Sequence, residues 1–339
     1  MQARITVAVV AVGVVLGVTG SAQQAIPRTP DGRPDLQGIW DYATITPLER
    51  PATVTDLAMS EAAATALEKG VADRIERLAR PSDPNRGAPP AGGLVSARTG
   101  ETGVGGYNNF YIDSGDVVAK IDGVYRTSLI VDPADGRVPA LTPEARKRSM
   151  TRAAERKGRE FDHPEFRPVG ERCVISFGST SPLLPNYFYN NHVQIVQTSD
   201  HVVILTEMVH DARMVRLNAE HLPTHVRPWL GDSIGRWEGD TLVVYTTNFP
   251  AHHLFRGQSA EHLHVIERFR RVDASTIVLR FTIDDPTTYT RPLTGEVPLR
   301  ASSEAIYEYA CHEGNYALEN ILRGERSRDQ RDAAKRPQH

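Results

Sequence analysis

The sequence predicts a mainly β protein: an antiparallel meander closing into a barrel, with two helical insertions. Three observations carry this. From Val193 to Cys311, short segments of alternating apolar and polar residues follow one another almost without interruption. Tight turns separate several of them, at Thr198-Ser199-Asp200, Glu238-Gly239-Asp240 and Asp273-Ala274-Ser275. Such turns leave room only for antiparallel neighbours, because a parallel pair needs a crossover of roughly a dozen residues. Finally, many sequential hairpins are most economically arranged by closing the sheet on itself, which removes its exposed edges.

The elements follow in order. Arg4 precedes the uncharged apolar run Ile5 to Val18, and Gly20-Ser21-Ala22 supplies the small residues of a cleavage site, so residues 1–22 read as a signal peptide. The other reading is a membrane anchor, for which the run is shorter than the ~20 residues of a bilayer span. No later segment is long and apolar enough to cross a membrane. Residues 23–115 read as an extended lead-in, a helix and a Gly/Pro-rich loop. Within them Leu36 to Trp40 suggests a first short strand. Ser60 caps a helix with Leu67, Val71, Ile75 and Leu78 at helical spacing, and Pro81 stops it. Residues 81–106 form the loop, a candidate flap over the barrel mouth. The barrel domain spans 116–322. Val117–Ile121 and Val124–Val131 read as a hairpin turned at Asp122-Gly123, and residues 142–158 as an inserted helix with Thr142 as cap and Pro143 at its first position. Further strands are expected at Arg172–Phe177, His192–Gln197, Val202–Val209, Arg213–Leu217, Gly235–Trp237, Thr241–Asn248, His262–Arg271, Thr276–Ile283, Thr287–Leu293 and Ala305–Cys311. Residues 323–339 are a polar tail expected to fray.

With 39 basic and 42 acidic residues the net charge is −3, which offers no basic footprint for nucleic acid. The two cysteines, Cys173 and Cys311, fit a disulfide in an exported chain, or else a buried free pair. Gly103-Val104-Gly105-Gly106 is followed by neither a helix pattern nor a lysine, so phosphate-loop and dinucleotide readings fall away. Ser176, Ser179 and Ser181 sit in no nucleophile elbow, and no two histidines flank a glutamate at metalloprotease spacing. No metal and no cofactor is called for.

The candidate site residues are the polar ones that interrupt apolar faces. In His264-Val265-Ile266-Glu267-Arg268-Phe269, after Leu263, period two puts Glu267 on the inner face with Leu263, Val265 and Phe269. A buried carboxylate is paired, protonated or working on a ligand. Glu207, between Leu205 and Val209, reads the same way. Glu207 and Glu267 are therefore candidates for acid–base work, with His210 reaching the same site if the strand ends or bulges between Glu207 and His210. Arg213 or Arg268 is the alternative salt-bridge partner of either glutamate. Tyr187, Tyr189, Asn190 and Asn191 form a polar-aromatic cluster suited to gripping a ligand. His264 joins a group of histidines, at 221, 225, 252, 253 and 262, that lie mainly in loops. His312 and Glu313 follow Cys311, whose bridge would fix them at the edge of a pocket.

Three segments, Thr29-Pro30-Asp31-Gly32-Arg33-Pro34-Asp35-Leu36-Gln37-Gly38-Ile39-Trp40, Trp237-Glu238-Gly239-Asp240-Thr241-Leu242-Val243-Val244, and Tyr307 through Leu322, resemble an uncharacterised family of exported bacterial proteins. The resemblance implies export, periplasmic or into the medium, and brings no activity or catalytic residue. Gly38-x-Trp40 is also faintly similar to the lipocalins, which implies a lipocalin- or calycin-like barrel. The expected function is binding of a small organic molecule in a polar barrel pocket, with or without acid–base turnover. A non-enzymatic binding or envelope-interaction protein is the alternative.

Overall fold

Alternation and tight turns build a closed barrel in the computed structural model, which describes residues 26–80, 85, 112–113, 115–176, 180–185 and 189–335. The signal peptide, nearly all of the 81–106 loop, Ser179 and Tyr187 lie outside the described residues. In chain order the elements are β1 (Gly38–Asp41), β2 (Ala58–Met59), α1 (Glu61–Ala79), β3 (Lys120–Ile121), β4 (Val124–Arg126), β5 (Ile130–Asp132) and α2 (Pro143–Arg156). There follow β6 (His192–Gln197), β7 (His201–Thr206), β8 (Ala212–Leu217), β9 (Asp232–Glu238), β10 (Thr241–Thr247), β11 (Leu254–Phe255), β12 (Gln258–Ser259), β13 (His264–Arg271), β14 (Thr276–Asp284), β15 (Leu293–Ala301) and α3 (Ala317–Lys335). Nine strands run β1-β6-β7-β8-β9-β10-β13-β14-β15, and β15 returns to β1 through Trp40↔Ala301 and Asp41↔Arg300. Strand β5 adds to the side of β15, and β2, β4 and β3 form a small separate sheet. Among the described residues no helix is long and apolar enough to cross a membrane.

The helix caps match their sequence signals: Ser60 accepts from the Ala63 amide and Thr142 from the Ala145 amide. Elsewhere the structure corrects the reading. The barrel is not wholly antiparallel, because β8 and β9 pair in parallel with Val215 opposite Ser233. Residues 218–231 supply the crossover that a parallel pair needs. The described part of the expected strand at 172–177 is a series of turns, with Cys173 at φ +54. Residues 305–311 form no strand either, so the cysteines join two irregular segments. The last barrel strand is instead β15, hidden in the sequence by Gly295 and Pro298. The Glu296 amide points away from β14 to the Leu129 carbonyl, so two residues on the nitrogen of Pro298 points the same way. That side of β15 is paired only at Thr294–Gly295 and Arg300–Ala301, and no ladder bond is lost. Gly295 is required because a Cβ there would lie 2.3 Å from the Phe281 ring. The polar tail does not fray at Arg323 but continues as α3 to Lys335, with Leu322 as its buried residue.

The interior is packed with side chains rather than hollow. Trp40, Val244, Phe269, Leu279, Phe281 and Leu299 belong to one continuous core, each 0–1 % exposed. Burying each such side chain contributes about 1.5–3 kcal/mol. Polar residues enter this core at one end of the barrel, where β7 and β10 finish and β8, β9 and β13 begin.

Candidate functional site

The polar end is built around Glu267 and Arg213, which are 0 % and 1 % exposed. Glu267 sits between Val265 and Phe269 on the inner face of β13, opposite Val244 on β10 and Phe281 on β14. Arg213 shares the inner face of β8 with Val215 and, two residues earlier, with Asp211 at its mouth. Its Nη1 donates to Glu267 Oε2, to Ser181 Oγ at 3.2 Å and to Thr246 Oγ1 at 3.1 Å. Thr246 and the opposing Ser233 exchange a further hydroxyl bond at 2.8 Å. Arg268, the other possible counter-charge, lies on the outer face and pairs with Glu238 at 2.7 Å.

Ser176 and the residues from Thr180 to Pro185 seal this end. Leu183 is fully buried in the core, and its amide donates to Glu267 Oε1 at 3.1 Å. The Ser176 amide and the Thr180 hydroxyl donate to Asp211 Oδ2 at 2.8 and 2.9 Å. Burial raises the Asp211 carboxyl above its usual range in spite of these two donors. Three residues before Ser176, Cys173 is bridged to Cys311. The seal is thus held by a covalent tie on one side and by hydrogen bonds to Asp211, Arg213 and Glu267 on the other.

Two buried groups here have hydrogen-bonding capacity left over. Arg213 Nε and Nη2, and the hydroxyl of the fully buried Tyr42, have no partner among the described residues. Nε and Nη2 form the side-on fork of the guanidinium, the edge that matches two oxygen acceptors of a planar group. Leaving a buried donor unpaired costs about 1–3 kcal/mol. Burial also raises the Tyr42 phenol, and the charges of Glu207, Asp41 and Asp211 add to the effect.

Glu207 is buried for a different reason from the one its spacing suggests. Leu205, its supposed face-mate, is only half-buried, and β7 ends at Thr206. The chain then turns through Val209 at φ +58 and His210 at φ +46 before β8. A β-branched residue in that region is strained, by about 1–3 kcal/mol. The turn directs Glu207 to the barrel rim, where its Oε1 accepts from the Tyr307 amide at 3.0 Å. His192 Nδ1 lies 3.7 Å from Glu207 Oε2, an ion-pair rather than a hydrogen-bond distance. Burial pushes the Glu207 carboxyl up, but His192, the Tyr307 amide and Asn190 outweigh it and hold the group below its ordinary range. The Glu207 carboxylate in turn raises His192, against the effect of burial.

A raised histidine stabilises the fold fully below its ordinary value of 6.5, and that contribution fades as pH climbs through the folded value. A depressed carboxylate contributes above its ordinary 4.5 and fades as pH falls through its folded value. The stability difference between the parent and His192→Gln is therefore expected to peak between pH 4.5 and 6.5 and to shrink on both sides. Urea melts across pH check this, and a difference that stays flat into alkaline solution would show that the pair does not form.

The remaining expected site residues fall into two groups. Asn190, Tyr189 and Tyr309 gather at the rim: Asn190 bonds Glu207 and the two tyrosines bond each other. A cleft of about 550 Å³ opens there, lined by Asn190, Tyr309, Cys311, Leu318 and Ile321 among others. Asn191 is buried beside it and donates to the Asp113 carbonyl at 2.7 Å. The other group points away. His264 is exposed on the outer face of β13, as the inward Glu267 three residues along the strand requires. His210 is exposed with Nδ1 on the Tyr309 carbonyl, and His312 and Glu313 are exposed in the turn after Cys311, outside the cleft lining. His253, one of the loop histidines, is buried against Phe249, with Nδ1 donating to the Trp229 carbonyl at 2.7 Å. Sequence reasoning missed His192, Ser181, Thr246 and Asp211. Only Asp211 carried a usable signal, its two-residue spacing from Arg213. Among the described residues no three His, Cys, Asp or Glu side chains converge as metal ligands would.

Fold and site together define a closed β-barrel whose interior is packed and whose one polar end is sealed by a disulfide-anchored segment. No family model matches the chain, and no curated protein matches it. Among solved structures it is similar to the crystal structure of a mutant of the fluorescent protein UnaG, at 13 % identity over 40 % of this chain and 87 % of that one, with a TM-score of 0.23. Similarity of that extent carries no argument about function.

Proposed function

We propose that this is an exported, non-enzymatic barrel protein that binds a small organic molecule at its polar end, through a neutral carbonyl or amide oxygen placed on the free fork of Arg213. The observation that carries the reading is that fork: two buried donors on one edge of a side chain 1 % exposed. A ligand oxygen would relieve the cost of leaving them unpaired. Glu267 already balances the guanidinium charge, and Asp211 lies close along the strand, so a neutral oxygen acceptor suits the site better than an anion. Export, into the periplasm or the medium, is supported by the Cys173–Cys311 bridge, because such bonds persist in oxidising compartments.

Neither of the two glutamates that are candidates for acid–base work is set up for turnover. A general acid or base works best with its pKa near neutrality. Glu207 is moved the other way, and Glu267 is engaged by Arg213 and the Leu183 amide. Arg213→Lys keeps the positive charge beside Glu267 but removes the fork. The test is a thermal-shift screen of small amides, ketones and esters against the parent and this variant. At a hundredfold excess over Kd, a ligand is expected to stabilise the parent by about 2.7 kcal/mol and to have little effect on Arg213→Lys. A ligand that stabilises both proteins equally would remove Arg213 from the site.

A further inference from the structure

Helix α2 carries Arg146, Lys147, Arg148, Arg152 and Arg156, with Lys157 at its C-cap, against only Glu144 and Glu155. Among the described residues none of these cations has a carboxylate at ion-pair distance. The other two helices behave differently. Lys69 pairs with Asp73 and Arg80 with Glu76 on and at the end of α1, and Arg323 with Glu319 on α3. The chain as a whole is slightly acidic, so α2 is a local concentration of uncompensated positive charge.

The helix is attached to the barrel by that same charge. Ala145 is its one buried residue. Arg148, Arg152 and Arg156, four residues apart on one face, rest on backbone carbonyls: Arg148 on Thr287 at 2.8 Å, Arg152 on Gly257 at 3.1 Å, and Arg156 on Phe166. Carbonyls satisfy the donors without cancelling the charge. Burial lowers the Arg152 guanidinium, and the like charges of Arg148 and Arg156 lower it further. On the opposite face helical spacing brings Arg146, Lys147, Met150, Ala154 and Lys157 together. Met150 is 74 % exposed, more than any other large apolar side chain described, while Glu144 and Glu155 lie off to one flank.

An apolar side chain ringed by cations is what a negatively charged lipid surface covers: head-group phosphates meet the charges, and the apolar tip enters the acyl boundary. We propose that the outer face of α2 docks the protein peripherally on an anionic membrane surface, with Arg146, Lys147 and Lys157 on head-group phosphates and Met150 inserted between them. A nucleic acid is the less suitable occupant, because it would leave the exposed Met150 and Ala154 without an apolar partner.

The test is co-sedimentation of the full chain with vesicles of phosphatidylcholine alone, or with about one third phosphatidylglycerol, at low and high salt. Binding is expected only to the anionic vesicles, and is expected to be lost at high salt. Among the described residues the side chains of Arg146, Lys147 and Lys157 form no hydrogen bond or ion pair, so the triple change to Gln is expected to leave the melting temperature unchanged. It is expected to weaken vesicle binding by about a hundredfold, a factor of about five for each charge near the surface. Absence of binding to anionic vesicles at low salt, or a triple variant that binds like the parent, would overturn the proposal. Duplex DNA bound as tightly as the vesicles, and lost in the same variant, would overturn it in favour of a nucleic-acid surface.

Discussion

Glu267→Gln is expected to lower the stability of the fold by about 3–5 kcal/mol. The amide preserves the shape and can still accept from the Leu183 amide, so the loss does not come from packing. It comes from Arg213, which at 1 % exposure keeps its charge and meets a neutral group where a carboxylate had been. Ser181 and Thr246 satisfy the same Nη1 atom but bring no opposing charge. The double change Arg213→Met with Glu267→Gln removes the guanidinium as well and keeps an acceptor for the buried Leu183 amide. Removing both charges together avoids stranding either, so the double variant is expected to be more stable than Glu267→Gln, and close to the parent. Denaturant melts of the parent, the single variant and the double variant decide it. A Glu267→Gln cost below about 1 kcal/mol would mean that the pair contributes little and that Arg213 finds other compensation.

The second large effect is expected from the disulfide. Cys173 and Cys311 are separated by 138 residues, and in the chain-entropy model closing a loop of that length contributes about 5 kcal/mol, an upper figure because strain and residual structure reduce it. Replacing both cysteines by serine is expected to remove most of that contribution. It should also have a local signature. The residues that seal the barrel start three positions after Cys173, so the Leu183 amide is expected to lose hydrogen-exchange protection faster than amides in the centre of β10 or β14. Uniform loss of protection would show that the bridge stabilises only the chain as a whole and does not hold the seal.

Much of this was legible in the sequence. Glu267 was placed inside by its spacing from Val265 and Phe269, and because period two cannot slip by one residue without exposing that whole apolar set, the assignment was secure. The same rule should have excluded His264, an odd number of residues away on the same strand. The spacing of Glu207 from Leu205 also predicts burial, but its burial has another cause, since β7 stops before it and a turn through Val209 carries it to the rim. The strand at Leu293–Ala301 was hidden because Pro298 discourages a strand, and only the unpaired side of β15 makes proline harmless there. The segments around Cys173 and Cys311 have the residue pattern of strands but are irregular, because a short apolar run such as Val174-Ile175 carries no information about whether it will find a neighbour.

The sequence by itself determined the class of fold, the caps of α1 and α2 and the inward carboxylate on β13. These are properties of local periodicity and cap chemistry, and they do not depend on which segments meet. The tertiary structure alone decided that Arg213 and not Arg268 answers Glu267, that His192 pairs with Glu207, and that Ser181 and Leu183 close the polar end. It also made β8 and β9 parallel. Each of those is a contact between residues well separated along the chain, set by the order of strands around the barrel, and strand order is a global packing outcome that no local pattern encodes.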